Sequence, residues 1–337
     1  MFANYNAHMR VLIYGGGAVG LGLASCLLKS EARVDIISRE DTVLSFRKNG
    51  LTRTGIFGDY RAEPSAFGSF SSLDEVVTGA YDYILVCTKS FDSFHAAKDL
   101  SMYKALFGGS TKIVLFQNGW SNADIFTSFF DKEIVYSARV ITGFHRFKPN
   151  EVTITVHADS IHIGSLFGEE LSKVEELSRS INNGGIPCET TADIEKDLWA
   201  KMLYNCALNP LGAILDVPYG KLAEQQYTRS VMDGIVEEVF EVMTKAGFRT
   251  HWETAADFLD IFYSKLVPDT AGHKSSTLQD IAAKKPTEID ALNGAVIKLA
   301  EKFAIPVLNN LVVYNIIKFI EAKNPKESRT GGDKVSE

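Results

Sequence analysis

Short apolar runs rich in β-branched residues alternate with helix-length segments through the first half of the chain. "RVLIY" (10–14), "RVDIIS" (33–38), "YDYILVCT" (81–88), "TKIVLFQN" (111–118) and "EIVYSARV" (133–140) are such runs. Their spacing predicts buried parallel strands joined by helical crossovers. "NEVTITVHADSIHIGS" (150–165) reads differently, as a two-stranded antiparallel ribbon turning near Ala158-Asp159. After about residue 190 the strand signal fades, and helical periods dominate at 193–209, 229–247, 253–266, 287–304 and 308–323. The expectation is an α/β protein with a parallel-sheet domain over 9–190 and a mostly α-helical domain over 191–323. Residues 1–8 read as a disordered extension, with Met9 as a second start, and the polar 324–337 as a disordered tail.

One helix breaks its own pattern. "DLWAKMLYNCALNPLGAI" (197–214) sets Lys201, Asn205 and Asn209 every four residues, among Leu198, Met202, Leu203 and Leu208. Each step of four turns about 40° around the axis, so the three share one stripe. On a solvated face Lys201 would pair with Asp197, which contributes only about 0.3–0.5 kcal/mol, and Asn209 before Pro210 would mark a bend. Neither reading explains two amides in an apolar helix, because asparagine is a poor helix former. Chemistry offers a reason. A lysine, cationic near its ordinary pKa of about 10.4, can polarise a ketone oxygen and deliver a proton. Neutral amides can hold hydroxyl or carboxylate oxygens without competing for that proton.

The turn after the first strand, "GGGAVG", gives Gly15-x-Gly17-x-x-Gly20 between a buried-type strand and a helix. In that context it is a dinucleotide-binding fingerprint. Gly15 permits the tight turn, Gly17 lets the backbone approach a pyrophosphate, and Gly20 lets helix and strand pack closely. Ala18 and Val19 open the helix whose dipole favours the anion. The sheet domain is thus expected to be of Rossmann type. The second strand ends "DIISRED", with Arg39 at its tip and no acidic residue where an NAD ribose wants one. A guanidinium there suits stacking on adenine or binding a 2′-phosphate, so NADP is the expected cofactor, a solvated Arg39 being the alternative. Lys89 in "CTKS" and Asn118 in "QNGW" follow later strands, on the cofactor and nicotinamide sides, although Asn118-Gly119 is also an ordinary turn dipeptide.

Composition narrows the class. The 337 residues are 45% hydrophobic with a net charge of −7, which gives no nucleic-acid footprint. Four scattered cysteines without metal spacing fit a reduced, cytoplasmic setting. No run of about 18 apolar residues suits a membrane span.

Together, "GGGAVG", "CTKS", "QNGW", "DLWAKMLYNCALNPLGAI" and "SSTLQDIAAKKPTEIDALNG" resemble the ketopantoate reductases over residues 10 to about 320. The resemblance implies a Rossmann domain, a helical substrate and catalytic domain, an active site in the cleft between them, and NADPH-dependent reduction of 2-dehydropantoate to pantoate on the way to pantothenate and coenzyme A. It implies Lys201 as catalytic lysine, and Asn205, Asn209 and Ser276 as substrate ligands. Glu288 is implied near the substrate's hydroxyl end, Asn118 beside the nicotinamide and Lys89 on the cofactor. Read locally, Glu288 sits in a capping box formed by Thr287 and Asp290. One position departs: Tyr219 in "DVPYGKL" stands where the family has a substrate-binding asparagine, and a phenol cannot offer an amide's paired donor and acceptor. This keeps two alternatives open, a reductase of another small 2-oxo acid and a non-catalytic NADP-binding regulator. A homodimer is also left open.

Overall fold

The computed structural model describes residues 8–77 and 79–323. The tail at 324–337 and all of the expected extension except His8 therefore lie outside the described residues. By contacts the chain divides into two compact units, between Leu198 and Trp199.

The first unit is built on β1 (Arg10–Tyr14), α1 (Ala18–Lys29), β2 (Arg33–Ile37), α2 (Glu40–Asn49), β3 (Leu51–Gly55), β4 (Tyr60–Ala62), β5 (Gly68–Phe70), β6 (Tyr81–Val86), α3 (Ser93–Met102), β7 (Phe107–Leu115), α4 (Asn122–Thr127), β8 (Val135–Lys148), β9 (Glu151–Gly164), α5 (Ser172–Asn183) and β10 (Cys188–Thr190). These strands form one ten-stranded sheet in the order β4-β3-β9-β8-β7-β6-β1-β2-β5, with β10 beside β9. From β5 to β8 every pairing is parallel. Both faces are covered: Val11 and Ile13 enter one apolar cluster while Leu12 between them enters another. Burial on both sides is why these strands read as unbroken apolar runs rather than as alternation.

The ribbon expected at 150–165 is not there. β9 is a single strand of 14 residues, antiparallel to the equally long β8. Where Ile141 pairs with Asp159 and Thr142 with His157, Ala158 is the extra residue, so the Ala158-Asp159 pair that reads as a turn is a β-bulge. β3, β4 and β5 add strands too short or too polar to stand out in the sequence.

Helix α6 (Ile194–Leu215) runs across the division and continues through Pro210. Proline has no N–H to give to the carbonyl four residues back, which here is Cys206. Asn293 Nδ2 donates to that carbonyl at 3.1 Å. The second unit adds α7 (Tyr219–Glu224), α8 (Gln226–Lys245), α9 (Ala255–Ile261), α10 (Val267–Asp269), α11 (Ser276–Ala282), α12 (Asn293–Glu301) and α13 (Leu308–Lys323). Asn293 is fully buried and also donates to Asn310, whose amide is held by Glu238 of α8. The helix expected from 287 begins only at Asn293; Glu288 instead starts a short 3-10 turn over Ile289–Ala291. The Thr287–Asp290 capping box does not form. Thr287 gives its N–H and its hydroxyl to Glu321 at 2.7 Å.

Candidate active site

Unit one gathers its candidates beyond the carboxyl ends of adjacent parallel strands, where open α/β sheets bind ligands. The glycine turn follows β1. Gly15 has φ +120°, and a Cβ on it would lie 2.7 Å from the backbone of Cys87 and Thr88. Its N–H and that of Gly16 both donate to Ile37 O, so neither is the amide offered to an anion. At Gly20 a Cβ would come 2.1 Å from Gly15 O. Gly17 is different: it caps α1, and a Cβ there would meet only Cys87 O, at 3.9 Å. The open side of Gly17 and the first-turn N–H groups of Ala18 and Val19, which a helix leaves without intrahelical acceptors, together fit a diphosphate.

The neighbouring strand ends are tied together. Gln117 Nε2 donates to Thr88 Oγ1 at 3.2 Å and to Lys89 O at 3.3 Å. Asn122 Nδ2 donates to Asn118 O at 3.0 Å, and Gly119 at φ +89° completes the bend. Lys89 and Asn118 are both half-buried here. Arg39 is the N-cap residue of α2 and is exposed at the tip of β2. A cavity lined in part by Gln117, Gly119, Trp120, Ser137 and Ala138 lies at this end of β7.

In unit two the α6 stripe is buried along most of its length: Lys201 is half-buried, Asn205 9% exposed and Asn209 4%. Two groups from outside α6 hold Asn209. Tyr219 donates its hydroxyl to Asn209 Oδ1 at 2.5 Å, and Ser275 donates to Asn209 O at 3.1 Å. Tyr219 is itself buried, edge-on to Tyr204 and beside His273, and burial pushes its phenol well above the usual range. It is therefore a permanent donor. With its oxygen so engaged, Asn209 has its Nδ2 hydrogens to present, which suit a carboxylate or hydroxyl oxygen.

Ser275 also caps α11, accepting from Leu278 N at 3.0 Å. That bond and the one to Asn209 seat the start of α11 against α6, with the half-buried Ser276 next in the chain. Glu288 is 5% exposed, and its neighbour Ile289 packs with Ala213 one turn beyond Asn209. The unit thus brings Asn209 and the segments bearing Ser276 and Glu288 to one stretch of α6. Ser275 is legible as a helix start and Tyr219 as a departure from the family pattern, but their bonds to Asn209, and that of Asn293 to Cys206 O, had no local signal. Only the cost of a buried, unmatched polar group foretells that such partners exist.

A family profile described as "Ketopantoate reductase PanE/ApbA" matches residues 11–168, and its C-terminal counterpart matches 193–321. A 2-dehydropantoate 2-reductase of Aquifex aeolicus is 33% identical over 321 residues, covering 95% of this chain and 99% of that one. A second, from Archaeoglobus fulgidus, is 26% identical over 93% and 98%. Among solved structures, a PanE/ApbA family ketopantoate reductase from Ralstonia eutropha JMP134 is 30% identical with a TM-score of 0.80, covering 94% of this chain and 99% of that one. A D-mandelate dehydrogenase with NADH and anilino(oxo)acetate shares the fold, at 21% identity, a TM-score of 0.83 and the same coverage.

Proposed function

The chain belongs to the ketopantoate reductase family, and from that premise we propose that it reduces 2-dehydropantoate to pantoate with NADPH, a step toward pantothenate and coenzyme A. It is an oxidoreductase acting on a CH–OH group with a nicotinamide cofactor. The observation that carries the finer reading is the stripe on α6, in which Lys201, Asn205 and Asn209 line up in a helix whose other buried positions, Asp197 in its first turn aside, are apolar. When bound, the nicotinamide supplies the hydride. Lys201 donates a hydrogen bond to the ketone oxygen, strengthens as negative charge gathers there, and gives up its proton as the alcohol forms. Asn205 and Asn209 hold oxygens of the 2-oxo acid, with Asn209 donating through Nδ2. Ser276 adds a hydroxyl, and Glu288 accepts from the substrate's hydroxyl end. The cofactor lies with its diphosphate over Gly17, Ala18 and Val19, in the turn that Gly15 and Gly20 shape, its adenosine end at Arg39, and Lys89 and Asn118 further along.

A cytoplasmic place of action belongs to the same reading. Its four cysteines are free, and among the described residues no helix is long and apolar enough to cross a membrane.

Loss of absorbance at 340 nm with ketopantoate, using NADPH and NADH in parallel, tests the proposal. Turnover with NADPH alone is expected. Turnover confined to NADH overturns the cofactor assignment, and no turnover with either overturns the reaction. A second reading, reduction of another small 2-oxo acid, is favoured by one feature: Tyr219 fills space beside Asn209 with a phenol rather than an amide. Specificity constants for ketopantoate against smaller and branched 2-oxo acids decide between the two.

A further inference from the structure

β8 outlasts its parallel pairing with β7, which ends at Ser137, and continues to Lys148 as one arm of the long β8–β9 hairpin. The arm is seated on α1. A Cβ at Gly22 would lie 2.2 Å from Cε1 of Phe144, so the ring of Phe144 occupies the space that this glycine leaves. Two residues on, Arg146 reaches the nucleotide end of the unit. Its Nη1 donates to Gly16 O in the glycine turn, and its Nη2 to Thr42 Oγ1 in the first turn of α2, both at 2.9 Å. Nε leans on Lys148 O at 3.4 Å. Thr42 in turn gives its N–H to the carbonyl of Arg39 at 2.9 Å. A half-buried guanidinium therefore ties the glycine turn to the first turn of α2, the helix that Arg39 caps.

The charges nearby define what this place can take. Burial first, and then the positive charge of Arg39, hold Arg146 below its ordinary pKa, with Asp41 opposing them. Asp41 Oδ1 is engaged by the N–H of Thr42 at 2.8 Å. Arg146 spends its hydrogen bonds on a carbonyl and a hydroxyl, so its positive charge is not cancelled by those partners. Two guanidiniums near enough for the charge of one to lower the pKa of the other favour a dianion beside them, and planar guanidiniums suit phosphate geometry. Resting on the NADPH reading above, we infer that Arg146 is the second arm, with Arg39, of a clamp for the phosphate monoester on the adenosine ribose, and that it makes this chain select NADP over NAD. The sequence gives no hint of it, because Arg146 reaches the turn only through a hairpin formed far along the chain.

Calorimetric titration with adenosine 2′,5′-bisphosphate and with 5′-AMP tests this without turnover. Wild-type protein is expected to prefer the bisphosphate. If it binds 5′-AMP equally well, the NADPH reading fails, whatever Arg146 does. In Arg146→Leu the bisphosphate is expected to weaken about 10- to 100-fold, as for loss of a charge-assisted hydrogen bond, and 5′-AMP by less than about threefold. Equal weakening of both nucleotides would show Arg146 to be a brace for the glycine turn, and no weakening of either would remove it from the site. Both results overturn the inference. Should Arg146→Leu unfold, Arg146→Lys keeps the charge and loses the fork. It is then expected to retain the preference in reduced degree, and an unchanged preference counts against the clamp.

Discussion

At the glycine turn the polar groups offered to a ligand are backbone N–H groups, made accessible by missing side chains. On α6 they are side chains, made tolerable by partners that arrive from later in the chain. The turn needs only that Gly15, Gly17 and Gly20 lack a Cβ, with contacts at 2.7 Å and 2.1 Å that no other residue would fit at the first and last. The stripe needs Tyr219 and Ser275 on Asn209, and Asn293 on the carbonyl that Pro210 leaves unsatisfied. One kind of site is written in a few consecutive residues and leaves no room for a side chain at its first and last glycines. The other is spread over a whole unit, and its members can be changed one at a time with separable effects.

The largest separable effect is expected at Lys201. Lys201→Ala removes the proposed proton donor and is expected to lower kcat by about 10²- to 10⁴-fold, or about 3–5 kcal/mol of barrier, while nucleotide binding to unit one is expected to be unchanged. Full turnover in that variant would sink the proposed mechanism.

The glycine turn breaks in two different ways. Gly20→Ala gains about 1 kcal/mol of helix propensity, but its Cβ must displace backbone 2.1 Å away, and overpacking of that kind costs about 1–3 kcal/mol or more. The clash wins, so a lower Tm is expected. In Gly17→Ala the new Cβ meets nothing closer than 3.9 Å, so Tm is expected to hold while nucleotide affinity falls. Thermal melts with and without nucleotide separate the two, and identical behaviour of the variants would contradict the division of labour within the turn.

The same contrast governs what the sequence could disclose. β1, α1 and β2 with the glycines between them are legible because each signal is local: strand burial on two faces, a Gly-x-Gly-x-x-Gly spacing, a helix start. The Lys201–Asn205–Asn209 stripe is legible as an anomaly, since amides in an apolar helix demand a reason. Their partners are not legible. Nothing about Tyr219 tells that its hydroxyl meets Asn209, or about Asn293 that it answers Pro210, because these pairings exist only once the helices have packed. Ala158-Asp159 misleads for a related reason: a bulge and a turn use the same small polar residues, and only the partner strand β8 decides between them.

Tyr219→Phe is the next expectation in size. It deletes one hydroxyl from a buried hydrogen bond and leaves the ring packed against Tyr204. Leaving Asn209 Oδ1 unmatched costs about 1–3 kcal/mol, felt as a freer amide and an added loss in Tm. The expected kinetic signature is a KM for the 2-oxo acid raised by about tenfold with kcat changed much less, since the proposal has Asn209 hold substrate and not move the proton. A kcat that falls in step with Lys201→Ala would instead place Tyr219 in the proton transfer.

The smallest effect concerns how α6 is fastened at its start. His162 of β9 stands between Asp197 Oδ2 at 2.7 Å and Glu189 Oε1 at 2.9 Å, while Arg139 Nη2 approaches its Nδ1 at 2.6 Å and also holds Asp159 at 2.8 Å. The hydrogen bond to Asp197 raises the His162 pKa above its ordinary 6.5; burial and Arg139 oppose this. A group whose folded pKa is raised contributes stability that is complete below the unfolded value and is lost as pH climbs through the folded one. Tm is therefore expected to decline as pH rises upward from about 6.5, by a modest amount because Glu189 is largely exposed and solvent screens it. His162→Gln keeps the hydrogen-bonding size and removes the titration, so its Tm is expected to be flatter across that range. A wild-type Tm that rises over the same interval, with the variant following it, would assign the pH dependence to other groups. The glycine turn offers no such handle: Gly15 and Gly16 are tied to Ile37 by backbone groups that do not titrate, and Arg146, whose side chain is bonded to Gly16 O, is a guanidinium that stays charged across this range.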